Sequence, residues 1–281
     1  MTRKAVVLGS GGVAGIAWQA GVLAGLADHG LDLREADLIV GTSAGAVVGA
    51  QLAAGLDPRD LYSRRLAPVE GEPVAKASVL ALFRLIRAAS TAKDGREFGA
   101  RMGRIALRAA TVPASEEERR GQVRRWLGEL RDWPARRLVV TAVDAVSGEP
   151  AFFDAGSGVD LLDAVCASTA GPGLRPPATI KGRRYIDGGM RSPANADLAA
   201  GYDRVVVLAP VTRGGRVLPS VRQQIDELGD GARVALVSPD PRTWRALTAR
   251  GGLLDPARAP RAAEAGRSLN VTDQVAAVWT P

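Results

Sequence analysis

The sequence of 281 residues predicts an α/β fold, a mainly parallel central sheet with helices on both faces and one helical insertion. Three observations point there. Two strand–glycine turn–helix units follow one another at the start of the chain. β-type apolar runs return from Arg137 onward. Between them, from about 57 to 134, strand-like runs vanish and helical spacing takes over. One interrupted sheet reads as a single domain over 1–281, with the stretch about 57–134 as a helical cap inserted into it.

Residues 5–27 and 38–56 contain no Asp, Glu, Lys or Arg, so each is long enough to suggest a membrane span on hydropathy alone. Their internal punctuation argues otherwise. The first holds six glycines and divides into the β-type run Ala5-Val6-Val7-Leu8, a glycine loop, and a helical pattern from Ile16 to about Ala27. The second divides the same way: Asp37 to Val40 as strand, Gly41 to Gly45 as turn, Ala46 to Ala54 as helix. Arg3 and Lys4 before the apolar stretch mimic a signal peptide, yet cleavage would remove the first unit, and no cleavage site stands out from the Ala/Gly background. In the central stretch, Leu80-Leu82-Phe83-Leu85-Ile86 and Met102-Ile105-Ala106-Ala109 form apolar helical faces. Further strands are expected at 137–143, 184–186, 204–208 and 233–237. The helices between them fall around 160–168, 218–229, 242–250 and 258–277.

Composition narrows the chemistry. With 46% apolar and 24% charged residues the chain can bury a sizeable core. A single cysteine, Cys166, permits no intrachain disulfide and no cysteine-based zinc site, which fits a reducing cytoplasm. The one histidine, His29, precedes every candidate nucleophile and acid, so no Ser…Asp…His triad can form, and sites of two or three histidines are excluded. His29 itself is explained by a helix C-terminus and Cys166 by core packing. Trp18 lies on the helix behind the first glycine loop, where packing is its default role. The other tryptophans show no cage spacing.

Two glycine turns carry the candidate chemistry. Gly41-Thr42-Ser43-Ala44-Gly45 is a G-x-S-x-G sequence between a strand and a helix, the context of a nucleophile elbow. On so tight a turn neighbouring side chains would clash, and the serine hydroxyl projects at a helix N-terminus, where negative charge is favoured. A plain Gly/Ser loop in a glycine-rich chain meets the same pattern. The loop from Gly9 to Gly15 precedes a helix and presents clustered N–H groups to an anion. As Gly9, Gly11 and Ala14 it meets a dinucleotide-binding fingerprint, the basis of an alternative oxidoreductase reading. That fingerprint wants an acid at the end of the next strand, and here that strand runs into Ser43. The other role for the loop is an oxyanion hole. A serine without histidine needs a carboxylate base. The best is Asp187, after a short strand and before the turn Gly188-Gly189, provided the fold brings it within hydrogen-bond reach and partly desolvates it. An ordinary Asp-Gly-Gly turn is the plainer account of the same residues.

Taken together these motifs resemble the patatin-like phospholipase family, which uses a Ser-Asp dyad in place of a triad. Leu8 to Leu23 is similar to its oxyanion loop and helix, and Gly41 to Gly45 to its nucleophile elbow. Val143-Asp144 with Gly148-Glu149 is similar to a central strand and turn. Ala167-Ser168 through Pro172 and Pro176-Pro177 is similar to the lead-in to Asp187-Gly188-Gly189. The resemblance implies a lipid acyl hydrolase with Ser43 as nucleophile, Asp187 as base, and the N–H groups of Gly11, Gly12 and Val13 as oxyanion donors. It implies no cofactor and no metal. Many members carry Arg or Lys just before the last glycine of the oxyanion loop. Ala14 stands there, or Gly15 if the loop is aligned one residue differently, so phospholipid and neutral ester both remain open as substrates. A catalytically inactive lipid-binding protein on the same fold is a further alternative. Asn195 and Asp197 follow the Asp-Gly-Gly turn closely enough to orient it; a satisfied surface cap is the simpler reading.

The net charge of +7 is local in origin: residues 76–110 hold eight Lys/Arg against two Asp/Glu. Arg101, Arg104 and Arg108 share one helical face, while Val79, Leu82, Phe83 and Ile86 form another. This basic amphipathic pattern could rest on anionic lipid, giving peripheral membrane contact from the cytoplasm, and a solvated helix face accounts for it too. Nucleic acid is disfavoured because aromatics make up only 4% and do not interleave with the basic run. Oligomeric state, head group and chain length do not follow from the sequence.

Overall fold

A computed structural model of the protein describes residues 2–67, 90–109, 115–249 and 252–280. Its strands are β1 (Lys4–Leu8), β2 (Leu38–Thr42), β3 (Leu138–Asp144), β4 (Pro150–Phe153), β5 (Ala178–Ile180), β6 (Arg183–Asp187), β7 (Arg204–Leu208) and β8 (Arg233–Val237). Among the described residues they form one sheet in the order β5-β6-β3-β2-β1-β7-β8, with β4 on the second edge of β3. The run from β3 to β8 is parallel, and β4, β5 and β6 are antiparallel. The helices are α1 (Gly12–Asp28), α2 (Ala44–Ala53), α3 (Pro58–Leu66), α4 (Gly95–Arg108), α5 (Glu116–Leu127), α6 (Leu161–Ser168), α7 (Val221–Asp226), α8 (Pro241–Thr248), α9 (Ala259–Arg267) and α10 (Thr272–Trp279).

The central strands are apolar on both faces because both faces are covered. Val6, Leu8, Ile39, Val206 and Leu208 join a core shared with α1, α2, α6 and α9. The alternate residues Ala5, Val7, Leu38, Val40, Val205 and Val207 pack on Ala196, Ala199 and Val221 from the turn Ala196–Ala199 and α7. Most of α1 is buried, since it lies between the sheet and the α9–α3 side. Its crossing with α9 depends on small residues: a side chain on Gly21 would meet the Ala263 carbonyl, and one on Gly266 the Trp18 carbonyl.

The expected strands and helices appear with two differences. Strands β4 and β5, four and three residues long, are too short for a period-2 signal and take their place from pairing with β3 and β6. The single helix expected over 258–277 is divided at Ser268. Its first half lies on α1 and its second on β7 and β8, so the chain must turn between them. Ser268, Asn270 and Val271, poor helix formers, lie in that turn, and Thr272 opens α10. Trp18 and Cys166 are buried, and burial pushes the Cys166 thiol up to about 11. His29 caps the end of α1, its Nδ1 lying 2.8 Å from the Gly25 carbonyl oxygen.

The described parts of 57–134 comprise α3, α4 and α5, with α4 against β3 and β6 and α5 against α2 and α6. The apolar run Leu80 to Ile86, Val79 and much of the basic stretch 76–110 lie outside the described residues. Within it, Arg104 and Arg108 are exposed on α4 and flank the exposed Leu107, whereas Arg101 is paired with Glu97 at 2.7 Å. Among the described residues no helix is long and apolar enough to cross a membrane.

Candidate active site

Where β2 ends, the chain reverses into α2 through Ser43, whose backbone is held at φ 55° and ψ −114°. A non-glycine residue there carries strain of about 1–3 kcal/mol, so its surroundings must impose it. They do so from three directions. The Ser43 N–H donates to Ser168 Oγ at 2.9 Å, its hydroxyl donates to Asp187 Oδ2 at 2.7 Å, and the Gly45 N–H donates to the Gly9 carbonyl at 3.2 Å. Gly45 has no room for a side chain, since a Cβ would land on the Leu8 carbonyl at the end of β1. Gly41 is similarly closed, its Cβ position being 2.7 Å from Ala46 Cα.

Asp187 reaches this serine by a property of β3. Thr141 pairs with Thr42 on one side and Phe152 on the other; Ala142 pairs with Ala151 and with Asp187. Since β4 fills one edge throughout, β2 and β6 must share the other, running toward each other and meeting end to end. The last residue of β6 therefore stands one rung beyond the last residue of β2. Residues 144 positions apart in sequence become neighbours along a single strand. Gly188 lies against Thr141, where a Cβ would collide with its hydroxyl and carbonyl.

Both residues are only 8% exposed. Burial pushes the Asp187 carboxyl up to about 6, against the Ser43 hydroxyl, the Gly189 N–H donating to Oδ1 at 2.8 Å, and the charge of Arg119, all of which favour the ionised form. The result is a carboxylate more basic than a solvated one and still ionised at neutral pH.

The loop from Gly9 faces the same space. Its first two N–H groups are used structurally: Gly9 donates to Leu208 O at 2.9 Å and Ser10 to Pro193 O at 2.7 Å. The ladder of α1 begins only with Gly15 N–H donating to Gly11 O at 2.8 Å, so the N–H groups before it are those a helix N-terminus leaves open. Gly11, Gly12 and Val13 line one cavity with Ser43 and Asp187. Gly12 sits at φ 60°, and a Cβ there would press on the Leu253 carbonyl at 2.6 Å. The cavity encloses about 630 Å³ and is mostly apolar, with Ile16, Trp126, Leu174, Leu218 and Leu254 among its walls.

Every sequence-predicted site residue thus belongs to one locality: Ser43 and Asp187 in contact, Gly41 and Gly45 shaping the elbow, Gly188 and Gly189 the turn, and Gly11, Gly12 and Val13 the loop. Ala14 is fully buried on α1, and the arginines lining the cavity are Arg119, Arg175 and Arg213. Arg119 stacks on Trp126 at 4.6 Å and donates to Thr169 O at 3.3 Å. Its placement had no signal in the sequence. The role of Ser168 at the Ser43 N–H was also missed, because its partner lies 125 residues away. The reading of Asn195 as a surface cap is corrected: it is 0% exposed and bonded beneath the site, because the loop after Asp187 folds inward onto β2 and β3 rather than out to solvent. Asp197 is partly buried and pairs with Arg191 at 2.5 Å.

Comparison with known proteins gives three findings. A family model described as Patatin-like phospholipase matches residues 6–200. NTE family proteins of Mycobacterium tuberculosis and Mycobacterium bovis are each 27% identical over 224 residues, covering 78% of this chain and 51% of theirs. The chain spans about half the length of these curated relatives. Among solved structures, VipD from Legionella pneumophila aligns with a TM-score of 0.45 at 13% identity, over 99% of this chain and 66% of that one. Full-length ExoU, in complex with SpcU from Pseudomonas aeruginosa, aligns with a TM-score of 0.39 at 16% identity, over 95% and 53%.

Proposed function

Because the chain belongs to the patatin-like phospholipase family, we propose that it is a serine acyl hydrolase cleaving carboxylic ester bonds of lipids, with Ser43 as nucleophile and Asp187 as base. The observation that carries this reading is the 2.7 Å hydrogen bond from the Ser43 hydroxyl to Asp187 Oδ2, at the wall of an apolar cavity of about 630 Å³. Such a cavity takes an acyl chain and excludes the water that would weaken every charge inside it.

In the first step Ser43 Oγ attacks the ester carbonyl carbon while its proton passes to Asp187. The carbonyl oxygen becomes an oxyanion, stabilised by the N–H groups of Gly11, Gly12 and Val13; each such donor is worth about 3 kcal/mol of barrier. The tetrahedral intermediate collapses, the alcohol leaves with the proton from Asp187, and an acyl-serine remains. Water then attacks that acyl group, gives a proton to Asp187, and the second intermediate releases the fatty acid as the proton returns to Ser43. Asp187 carries every proton, so no cofactor enters these steps.

Membrane contact belongs to the same reading. The basic stretch 76–110, including the exposed Arg104, Leu107 and Arg108, would rest on anionic lipid from the cytoplasmic side and deliver acyl chains to the cavity.

Labelling with a serine-directed phosphonate, alongside hydrolysis of a soluble acyl ester, tests the chemistry. The native protein is expected to be labelled and to hydrolyse the ester. Ser43→Ala abolishes both, and Asp187→Ala lowers hydrolysis by about 10³-fold or more, with thermal unfolding intact. Undiminished hydrolysis in either variant would sink the dyad. A folded native protein that sediments with lipid yet takes no label would favour the inactive lipid-binding alternative.

A further inference from the structure

Asn195 lies eight residues beyond Asp187, fully buried, with its backbone left-handed at φ 56° and ψ 44°. Its two ends face different chemistry. Oδ1 accepts from Arg191 Nη1 at 2.6 Å, and Arg191 in turn pairs with Asp197. Nδ2 stands 3.0 Å from Thr42 Oγ1, 3.3 Å from Thr141 Oγ1, 3.2 Å from Ser192 O and 3.4 Å from Gly188 O. A guanidinium on one side and carbonyl oxygens on the other fix which end of the amide is the donor.

Two of those acceptors matter for position. Thr42 immediately precedes Ser43, and Gly188 immediately follows Asp187. The Thr42 hydroxyl is itself engaged, donating to Ala194 O at 3.2 Å and lying 3.0 Å from Thr141 Oγ1, so it accepts from Asn195 as a fixed point. We propose that Asn195 is a positioning residue: its amide clasps the residue before the nucleophile to the residue after the base, and so sets the separation across which the proton moves. This rests on the Ser43–Asp187 reading.

The side chain must then be a donor here, and its backbone must tolerate the left-handed region. Aspartate and glycine both meet the second demand and fail the first. Asn195→Asp keeps the partner of Arg191 but turns an acceptor toward the Gly188 and Ser192 carbonyls; Asn195→Gly removes the amide altogether. Thr42→Val keeps the shape of the threonine and deletes its acceptor.

The test compares these variants with the native protein in three measurements: the second-order rate of phosphonate labelling, kcat and KM on a soluble acyl ester, and the thermal midpoint. Asn195→Asp and Asn195→Gly are expected to lower kcat and the labelling rate by about 10- to 100-fold, with KM within about threefold of native, because misplacement weakens proton transfer rather than ester binding. Thr42→Val loses part of the same rate, and Thr42→Ser recovers most of that loss. Native kcat and labelling rate in folded Asn195→Asp and Thr42→Val would overturn the proposal while leaving the dyad untouched. A parallel rise in KM that accounts for the whole loss also overturns it. If both Asn195 variants fail to fold, Thr42→Val decides on its own. A native protein that neither labels nor hydrolyses overturns the dyad reading and this proposal together.

Discussion

At Asp187 the requirements of folding and of chemistry oppose each other. The folded carboxyl keeps its proton up to about pH 6, whereas an unfolded aspartate releases its own near 3.9. Between those values the folded state binds more protons, so stability falls as pH rises through the window, and the cost is complete above about 6. Asp187→Asn removes the buried charge and keeps the shape. It is expected to be more stable than the native protein at pH 8 by about 3 kcal/mol, and so to unfold at a higher temperature, with the difference vanishing toward pH 4. Hydrolysis disappears in the same variant. If the proposed hydrolysis holds, kcat/KM of the native protein is expected to rise through about pH 6 as the base ionises, and a flat profile from 5 to 8 would deny Asp187 that role. Ser43 and Asp187 were legible in the sequence because each sits in a local pattern, a strand followed by a glycine turn. Ser168 and Arg119 were not, because their partners at the site lie far along the chain and a lone serine or arginine has no period or spacing to betray it. Asn195 was placed near the turn by its spacing, but its burial and its bond to Thr42, 153 residues away, were not legible.

Among the elements, α1 shows how close packing substitutes for side-chain bulk. Its Gly21 faces the Ala263 carbonyl of α9 with no space for even a methyl group. Gly21→Val would force the helices apart or out of register, and is expected to destabilise the protein by about 2–3 kcal/mol, a fall in thermal midpoint of roughly 5–10 °C. An unchanged midpoint would mean that α9 moves aside freely. The paired strand–turn–helix units at the start of the chain were plain from their charge-free composition, since strands covered on both faces cannot afford polar residues. What stayed hidden was the break between α9 and α10. Helical spacing persists across it, and only the different partners of the two halves require a turn. The short β4 and β5 stayed hidden for the same kind of reason, being defined by the strands beside them.

For the whole molecule, a net charge of +7, nearly matched by the eight Lys/Arg against two Asp/Glu of residues 76–110, makes an ionic-strength prediction. The protein is expected to co-sediment with vesicles containing anionic lipid, to release as salt rises from about 0.05 to 0.5 M, and to ignore neutral vesicles. Equal binding to both would leave the basic stretch as a solvated face. The fold class followed from alternating strands and helices, and the family from the order of three separate motifs. The strand order did not follow, because nothing local states that β6 approaches β3 from the opposite direction and stops where β2 stops.

That end-to-end meeting makes β3 a gauge block between serine and acid. Insertions and exchanges in the long stretches joining β2 to β3 and β4 to β6 that spare the elbow Ser43–Gly45, Arg119 and Ser168 leave the gauge untouched, so those parts of the chain are free to diversify. A single residue inserted between Thr141 and Ala142 would lengthen it by one step of about 3.3 Å and turn the acid to the opposite face of the sheet. Such a protein would retain both reactive groups and silence the pair.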